Sequence, residues 1–249
     1  MAGHALVRRA TDYRDPRSLS SRFRARRDNR FLKPLIADLR QAIDRPIRVL
    51  DVGGRVETWI NNGIAESEAV ERILVTNFFE ELAATDHPKI ACQAGVDARG
   101  MEFADAQFDL AFSNSVIEHI PGRDGQRQMV EECLRVARCL YIQTPNRWFP
   151  IDPHHPFPGF HFLPLEAKIF LLRTLPIDRV GRIPERGDAE WSARQVELLS
   201  ARRFRELFPP GAPVLIARER LFLLSKSLIA VVPPSGDYAR LRQMEPADA

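Results

Sequence analysis

The sequence has few cysteines and no long uncharged apolar run. Its three cysteines, Cys92, Cys133 and Cys139, include no CxxC pair and no even framework. We therefore predict reduced thiols in a cytoplasmic compartment, without disulfides or a thiolate metal site. No uncharged stretch approaches the ~20 residues that cross a bilayer, and residues 1–11 lack the apolar core of a signal peptide. The sequence thus predicts a protein without a transmembrane segment.

The positive charge is concentrated at the amino terminus. The formal net charge is +3, and residues 1–30 alone hold nine Arg against three Asp. Such a segment could contact nucleic acid or anionic lipid, but chain termini are frequently solvated and unstructured. We predict that residues 1–29 form a basic, flexible leader, and we do not expect nucleic acid to be the main partner.

Short apolar runs alternate with helical patterns through most of the chain. Apolar positions recur at helical spacing near 31–43, 126–138, 165–175 and 202–208, and strand-like runs occur near 47–52, 72–77, 89–93, 108–112, 139–144, 214–217 and 227–232. This alternation favours an α/β fold with a mostly parallel sheet, and the last two runs are close enough to form an antiparallel pair. We predict a folded domain over 30–232 and a flexible tail over 233–249.

A polar residue and two glycines follow the first predicted strand, in the motif Asp51-Val52-Gly53-Gly54. In an open parallel sheet, ligands bind beyond the carboxyl ends of the strands, where glycine lets the backbone come close to a ligand. An ordinary strand-to-helix turn is the alternative for this motif alone.

Five motifs in a fixed order carry a family resemblance. They are 49–54, Asn77 at a strand end, Asp97-Ala98, 108–119, and 143–146. The series resembles the class I S-adenosylmethionine-dependent methyltransferases, in particular small-molecule methylases similar to those of ubiquinone biosynthesis. The resemblance covers roughly residues 30 to 165, and it implies a Rossmann-like, doubly wound sheet that closes with a C-terminal antiparallel strand pair.

The resemblance also implies contacts to S-adenosylmethionine. They are Asp51, Gly53 and Gly54 for the methionine portion, Asn77 for the ribose, Phe78, Asp97 and Ala98 for the adenine, and Ser113 and Asn114 near the methyl group. This chain departs from the family pattern in its first turn, where Arg55 and Glu57 replace two glycines, and in Asn77, which replaces a carboxylate. The Gly-x-Gly-x-x-Gly pattern of nicotinamide binding is absent.

Histidines that follow the fourth predicted strand are candidates for acid–base chemistry. Methyl transfer to a hydroxyl needs alignment with the C–S bond and removal of a proton, and histidine is the usual base near neutral pH. We predict His154 as the base, with Asp152 to orient it, and His119 as a second candidate. The alternative is that these side chains stiffen a loop or cap a helix. No cluster of metal ligands is visible in the sequence.

Residues 145–190 are predicted to form a substrate loop or cap. The stretch 145–164 holds six prolines and three of the six histidines, which excludes a regular helix or a central strand. The predicted substrate contacts are Asn146, Trp148, Phe149, His155 and His161. The aromatic residues could form an apolar lid, pack on the core, or, over 160–172, make a weak membrane contact.

The predicted function is methyl transfer from S-adenosylmethionine to a small-molecule acceptor, at a hydroxyl oxygen. The alternative is a catalytically inactive methyltransferase fold whose Arg-rich leader binds RNA or anionic surfaces; Arg55, Glu57 and Asn77 favour it. The sequence does not indicate an oligomeric state.

Overall fold

The computed structural model describes residues 18–78, 85–178 and 181–234. Its strands are β1 Ile47–Val52, β2 Val70–Thr76, β3 Ile90–Gln93, β4 Phe108–Asn114, β5 Ala137–Pro145, β6 Leu215–Leu221 and β7 Leu224–Val232. Its α-helices are α1 Leu19–Arg27, α2 Lys33–Ile43, α3 Val56–Asn61, α4 Gly122–Val136, α5 Leu165–Thr174, α6 Arg186–Arg194 and α7 Ala201–Arg205. A π-helical turn covers Asp28–Leu32, and 3-10 turns cover Ile117–His119 and Phe160–Phe162.

The seven described strands form one sheet in the order β3-β2-β1-β4-β5-β7-β6. The first five in this order are parallel, whereas β7 runs antiparallel to both β5 and β6. The chain reverses its direction of winding between β1 and β4, and ligands of α/β sheets bind beyond the strand ends at such a switch point. The predicted fold class, a Rossmann-like sheet with a C-terminal antiparallel pair, is confirmed.

The two faces of the sheet carry separate apolar cores. Along β1, Ile47 and Val49 belong to the core on the α2 face, and Leu50 and Val52 belong to the core on the α4 face. This alternation follows from the two-residue period of a strand. Because helices cover both faces, the loops at the strand ends are the part of the sheet that can receive a ligand.

The predicted helices are present with small shifts at their ends. Pro34 lies in the first turn of α2, and Asp44 ends that helix in the left-handed region with φ 53°. Ser200 caps α7 by accepting a hydrogen bond from the Arg203 N–H at 3.3 Å. The sequence predicts neither α3 nor α6, because helices of 6 and 9 residues contain too few turns to show a clear apolar period.

The part of the chain after β5, predicted above to form a cap over 145–190, contains a small apolar core of its own. Its buried cluster consists of Phe160, Ile169, Leu172, Ala189 and Ala193. Phe160 and Leu172 are thus inside the protein, although both belong to the segment considered above for membrane contact. Within the described ranges, no helix combines the length and the apolar character that a membrane span requires.

The folded part of the chain begins before the predicted boundary at residue 30. Arg27 and Asp28 are buried, and the Asp28 carboxylate accepts a hydrogen bond from Asn62 Nδ2 at 3.0 Å. Residues 18–29 therefore belong to the domain and not to a leader. The remaining leader, 1–17, and the tail over 235–249 lie outside the described residues.

Candidate active site

The turn after β1 is built around the buried carboxylate of Asp51. This side chain has no exposed surface, and its Oδ2 accepts a hydrogen bond from Trp59 Nε1 at 2.6 Å. The Arg55 backbone N–H also donates to the carboxylate. The Gly54 N–H donates to the Thr76 carbonyl at 3.1 Å, which ties the turn to β2. Asp51 therefore joins the end of β1 to the start of α3 through Trp59 and Arg55.

Both glycines of the turn are required by its packing. Gly53 has φ +71°, and a Cβ built on it would lie 2.6 Å from Val116 Cγ2. A Cβ on Gly54 would lie only 1.7 Å from Asp51 Oδ2. Real Cβ contacts do not come this close, because overlapping atoms repel steeply. The turn thus selects glycine at both positions even before a ligand is considered.

Burial raises the pKa of Asp51 to about 7, and the hydrogen bonds from Trp59 and Arg55 offset only part of that effect. An unfolded chain has an Asp pKa of about 3.9, so the folded protein binds this proton more tightly. The stabilising contribution is complete below pH ~4 and is lost as the pH rises through about 7.

We expect this loss to disappear in Asp51→Asn, which stays neutral and can still accept from Trp59. Between pH 5 and 8, wild-type unfolding free energy should fall by about 3 kcal/mol relative to Asp51→Asn, since the fall covers the two units from pH 5 to the folded pKa of about 7 and one pKa unit corresponds to ~1.4 kcal/mol. Urea denaturation of both proteins at the two pH values measures the difference. Asp124→Asn, at a side chain that is 93% exposed, is the control. Parallel pH profiles for wild type and Asp51→Asn would contradict the assignment.

The residues predicted to meet the ribose and the adenine lie at the ends of β2 and β3. The Asn77 N–H donates to the Gln93 carbonyl at 3.3 Å, and its own carbonyl accepts from Val96 N–H at 3.0 Å. Phe78 is 59% exposed and so presents its ring at this edge. Ala98 is half-buried against the core on the α4 face.

The Asp97 carboxylate is paired with a neighbour. Asp97 Oδ2 accepts from Arg99 Nη2 at 2.6 Å, and Oδ1 accepts from the Arg99 backbone N–H at 2.9 Å. These bonds lower the pKa of Asp97 below its ordinary value. An adenine amino group would therefore have to share or displace Arg99.

Ser113 and Asn114 end β4 next to the first turn. The Ser113 hydroxyl donates to the Val52 carbonyl at 3.0 Å and is buried, so it holds β4 to β1. The Asn114 Oδ1 is buried and has no hydrogen-bond partner among the described residues. A buried polar atom without a partner is costly, and a donor from a ligand at this strand end would satisfy it. This atom makes the edge fit a polar cofactor.

Asp152 orients His154 in the loop that follows β5. His154 Nδ1 lies 2.8 Å from Asp152 Oδ1, and the His154 backbone N–H donates to the same oxygen at 2.9 Å. Both side chains are buried. Because Nδ1 is engaged by the carboxylate, Nε2 is the ring nitrogen that can exchange a proton with an acceptor.

His155 connects the same carboxylate to α6. Its Nε2 lies 3.1 Å from Ser192 Oγ and 3.4 Å from Asp178 Oδ2, and its Nδ1 lies 3.7 Å from Asp152 Oδ2. Burial lowers the pKa of His155, but Asp152 and Asp178 outweigh it and raise the pKa overall. Burial likewise opposes ionisation of Asp152, yet the two histidines hold its pKa well below the usual range. His155 thus ties the loop after β5 to α6, and its predicted substrate contact stays a prediction.

Glu118, His119 and His154 form a cluster that sequence inspection missed. Glu118 is 1% exposed, its Oε2 accepts from Thr144 Oγ1 at 3.0 Å, and its Oε1 has no partner among the described residues. Burial raises the pKa of Glu118 to about 6, while the nearby His154 opposes this. The rings of His119 and His154 are 4.7 Å apart. No ligand cluster was predicted because the two segments are far apart in the sequence.

The atoms that these three side chains offer lie within 4.8 Å of one another and could hold a metal ion. A carboxylate with two imidazoles is a common donor set for divalent transition metals. The same group can also work as an acid–base pair without a metal. The Asp152 bond to His154 suits both roles, because a second carboxylate orients the imidazole in either case.

The other predicted substrate residues have mixed positions. Asn146 is buried, with its Nδ2 donating to the Ser225 carbonyl at 2.9 Å, and His161 Nε2 lies 2.8 Å from the Arg147 carbonyl. Burial lowers the pKa of His161. Both side chains therefore hold the loop in place. Trp148 is 66% exposed and stacks on Phe162 with ring centroids 6.0 Å apart, so it can contact an acceptor.

Trp59 and Thr144 are site residues that sequence inspection did not find. Trp59 bonds to Asp51 from the next helix, and Thr144 bonds to Glu118 from the end of β5. The sequence signal for Trp59 was its position shortly after Asp-x-Gly-Gly, because a large aromatic residue there is of a type that is usually buried. Thr144 offered no signal beyond its place at a strand end.

The comparisons with known proteins agree with this geometry. Residues 66–139 match the family described as Methyltransferase domain. Two uncharacterized proteins of Mycobacterium tuberculosis, from strains CDC 1551 and H37Rv, are 33% identical over 66 residues, which is 26% of this chain and 22% of those proteins. The match thus spans about a fifth of the length of these curated relatives.

Two solved structures share the fold over most of this chain. The Burkholderia thailandensis 1,6-didemethyltoxoflavin-N1-methyltransferase, with bound 1,6-didemethyltoxoflavin and S-adenosylhomocysteine, has TM-score 0.52 and 16% identity over 94% of this chain and 90% of its own. The CurJ carbon methyltransferase has TM-score 0.50 and 12% identity over 94% of this chain and 67% of its own. The family match, the strand order and these structures define a class I methyltransferase fold. Residues 66–139 match the methyltransferase family on that fold, and S-adenosylhomocysteine is bound in the Burkholderia thailandensis structure.

Proposed function

We propose that this protein transfers a methyl group from S-adenosylmethionine to a hydroxyl oxygen of a small-molecule acceptor. The observation that carries the proposal is topological. The turn at Asp51 follows β1, and the Asp152–His154 pair follows β5, so both lie beyond the carboxyl ends of parallel strands. In a doubly wound sheet this edge is where cofactor and substrate meet.

The cofactor would contact the residues at the ends of β1, β2 and β4. The turn at Gly53 and Gly54 would receive the methionine portion, Asn77 and Phe78 lie at the end of β2, and Asn114 Oδ1, which has no partner among the described residues, offers an acceptor. When bound, the sulfonium supplies the methyl group. Arg55, which replaces one of the family's glycines, is exposed and precedes the first residue of α3.

His154 is the proposed base. Asp152 holds its Nδ1, so Nε2 can accept the hydroxyl proton as the oxygen attacks the methyl carbon. The bound cofactor would supply the methyl group and take the electron pair of the carbon–sulfur bond, and His154 would hold the proton released from the hydroxyl. The structural neighbours include enzymes titled as nitrogen and carbon methyltransferases, and an oxygen acceptor is supported here by the oriented histidine.

Calorimetry with S-adenosylmethionine and S-adenosylhomocysteine tests the cofactor. We expect one cofactor molecule to bind per chain. Asn114→Leu should weaken this binding about tenfold or more, because the ligand would lose the hydrogen bond that Asn114 Oδ1 accepts. Asn61→Leu makes the same change at an exposed asparagine at the end of α3 and is the control for folding. Absence of heat at ~1 mM ligand with a folded protein would refute the proposal.

A further inference from the structure

A groove lies beside the start of the loop that follows β5 and carries Asp152 and His154. It encloses about 720 Å³. It is lined by Asn146, Arg147, Trp148, Ser200, Ala201, Arg202, Arg203, Arg218, Arg220, Leu223, Leu224, Ser225 and Leu228. We call it the arginine groove. Five of these side chains are guanidinium groups and none is a carboxylate, so the groove is strongly positive.

Three of these arginines lack the ion pairs that arginines make elsewhere on this protein. Arg45, Arg135 and Arg186 each lie within 3 Å of a carboxylate oxygen. Over residues 18–78, 85–178 and 181–234, no carboxylate lies within ion-pair distance of Arg147, Arg218 or Arg220. Arg202 and Arg203 make longer contacts, at 3.5 and 3.8 Å, with Glu206 and Glu197. The described residues therefore leave much of the groove's positive charge without a neutralising carboxylate.

Strand geometry places two of these charges side by side. Arg218 and Arg220 are two residues apart in β6, and Arg218 pairs in register with Leu228 of the groove floor. Glu219, between them, points to the opposite face, where it bonds to Ser227 and lies 4.0 Å from Lys226. The alternation of a strand thus keeps the one nearby carboxylate of β6 out of the groove.

The groove is joined rigidly to the loop that carries Asp152 and His154. Asn146 bonds to the Ser225 carbonyl, and the Arg147 N–H donates to the Leu199 carbonyl at 3.0 Å. His161, from the far end of the loop, bonds to the Arg147 carbonyl. Trp148 and Leu223 add exposed apolar surface at the rim, being 66% and 95% exposed.

We infer that the arginine groove binds an anionic group of the methyl acceptor, a phosphate or a carboxylate, on a molecule that also has an apolar part. Guanidinium forks bind these groups with two parallel hydrogen bonds, which gives strength and orientation. Trp148 and Leu223 accommodate the apolar part. The inference rests on the proposed function, because it names the class of acceptor for that site. It assigns specificity to Arg218 and Arg220, which lie outside the cofactor turn and the histidine cluster.

Calorimetry of the full chain with phenyl phosphate, benzoate and uncharged benzyl alcohol tests this inference. We expect at least one of the two anions to bind and the alcohol not to bind, and the preferred anion tells phosphate from carboxylate. The double variant Arg218→Gln/Arg220→Gln should bind that anion about tenfold more weakly or worse, because two charged hydrogen bonds are lost. Arg186→Gln/Arg194→Gln removes the same charge from two exposed arginines paired with Glu166 and Glu190 and should bind as wild type.

Binding of S-adenosylhomocysteine to each variant separates this inference from the proposed function. If phenyl phosphate or benzoate binds and S-adenosylhomocysteine does not, the proposed methyl transfer is wrong and the anion site is supported. The inference is wrong if neither anion binds, if the charge-matched control loses as much affinity as the groove variant, or if only single-stranded RNA or phosphatidylserine vesicles are retained. Arg218→Lys/Arg220→Lys should recover part of the affinity, since lysine keeps the charge but not the fork.

Discussion

The Gly54→Ala variant is expected to lose about 3–5 kcal/mol of folding free energy, because the clash and a broken buried hydrogen bond act together. The new methyl group would lie 1.7 Å from Asp51 Oδ2. The carboxylate would have to leave its position and give up its bond to Trp59. It is fully buried, so it has no route to water without opening the turn. Cofactor binding should be lost with it.

Two matched glycines separate the contact from general effects of alanine. Gly100 has nothing within 4 Å of a built Cβ, so Gly100→Ala should be close to wild type. Gly53 and Gly63 share nearly the same φ, +71° and +70°, but a Cβ has close contacts only at Gly53. The two variants carry the same backbone strain, so the difference between their unfolding free energies measures the contact of Gly53→Ala with Val116. Urea denaturation and calorimetry give both readouts, and equal stability of Gly54→Ala and Gly100→Ala would show that the turn relaxes.

The His154→Ala variant is expected to reduce turnover of an identified acceptor by about 10²–10⁴-fold, the usual contribution of a general base. Cofactor affinity should not change, since the residue follows β5 and not β1. Asp152→Asn should reduce turnover less, because the amide can still contact Nδ1 but no longer favours the same tautomer and charge. His161→Gln changes another histidine of the loop, whose role is a bond to a backbone carbonyl, and it serves as the control.

A metal at the Glu118, His119 and His154 cluster would give a different result. Glu118→Gln and His119→Ala would then reduce turnover as much as His154→Ala, and a chelator would inactivate the wild type until a divalent cation is returned. If His154 acts as a base alone, the chelator has no effect and His119→Ala retains most activity. Full turnover of His154→Ala without metal dependence would contradict both roles.

Most of the fold could be predicted from local patterns. The apolar run at 47–52 ends before two glycines and the run at 139–144 ends before a proline, which indicates strands at both places; β1 has the predicted bounds, and β5 extends over Ala137–Pro145. The Asp51 turn was identified for the same reason. The short helix α3 was missed because six residues show no apolar period, although Trp59 in it completes the turn.

The site was harder to predict because its groups come from distant segments. Glu118 and His154 meet only after β4 and β5 pair, so spacing in the sequence carries no sign of their contact. The contacts of His155 and Asn146 could also not be predicted from the sequence. Each is a polar residue in a loop, and only the positions of Ser192 and Ser225 show that they hold the structure together.

The burial of Arg27 and Asp28 decides where the domain can be cut. Removing residues 1–29 as one basic segment would delete α1 and leave Asn62 without the carboxylate that it bonds to. If the shortened protein unfolded, it would no longer bind a polyanion, and the loss would be attributed wrongly to the basic residues of the amino terminus. A deletion that ends at residue 17 removes arginines from the amino terminus while keeping Ser18, the cap of α1. Binding to this shorter deletion can therefore be compared with binding to the full chain while α1 stays in place.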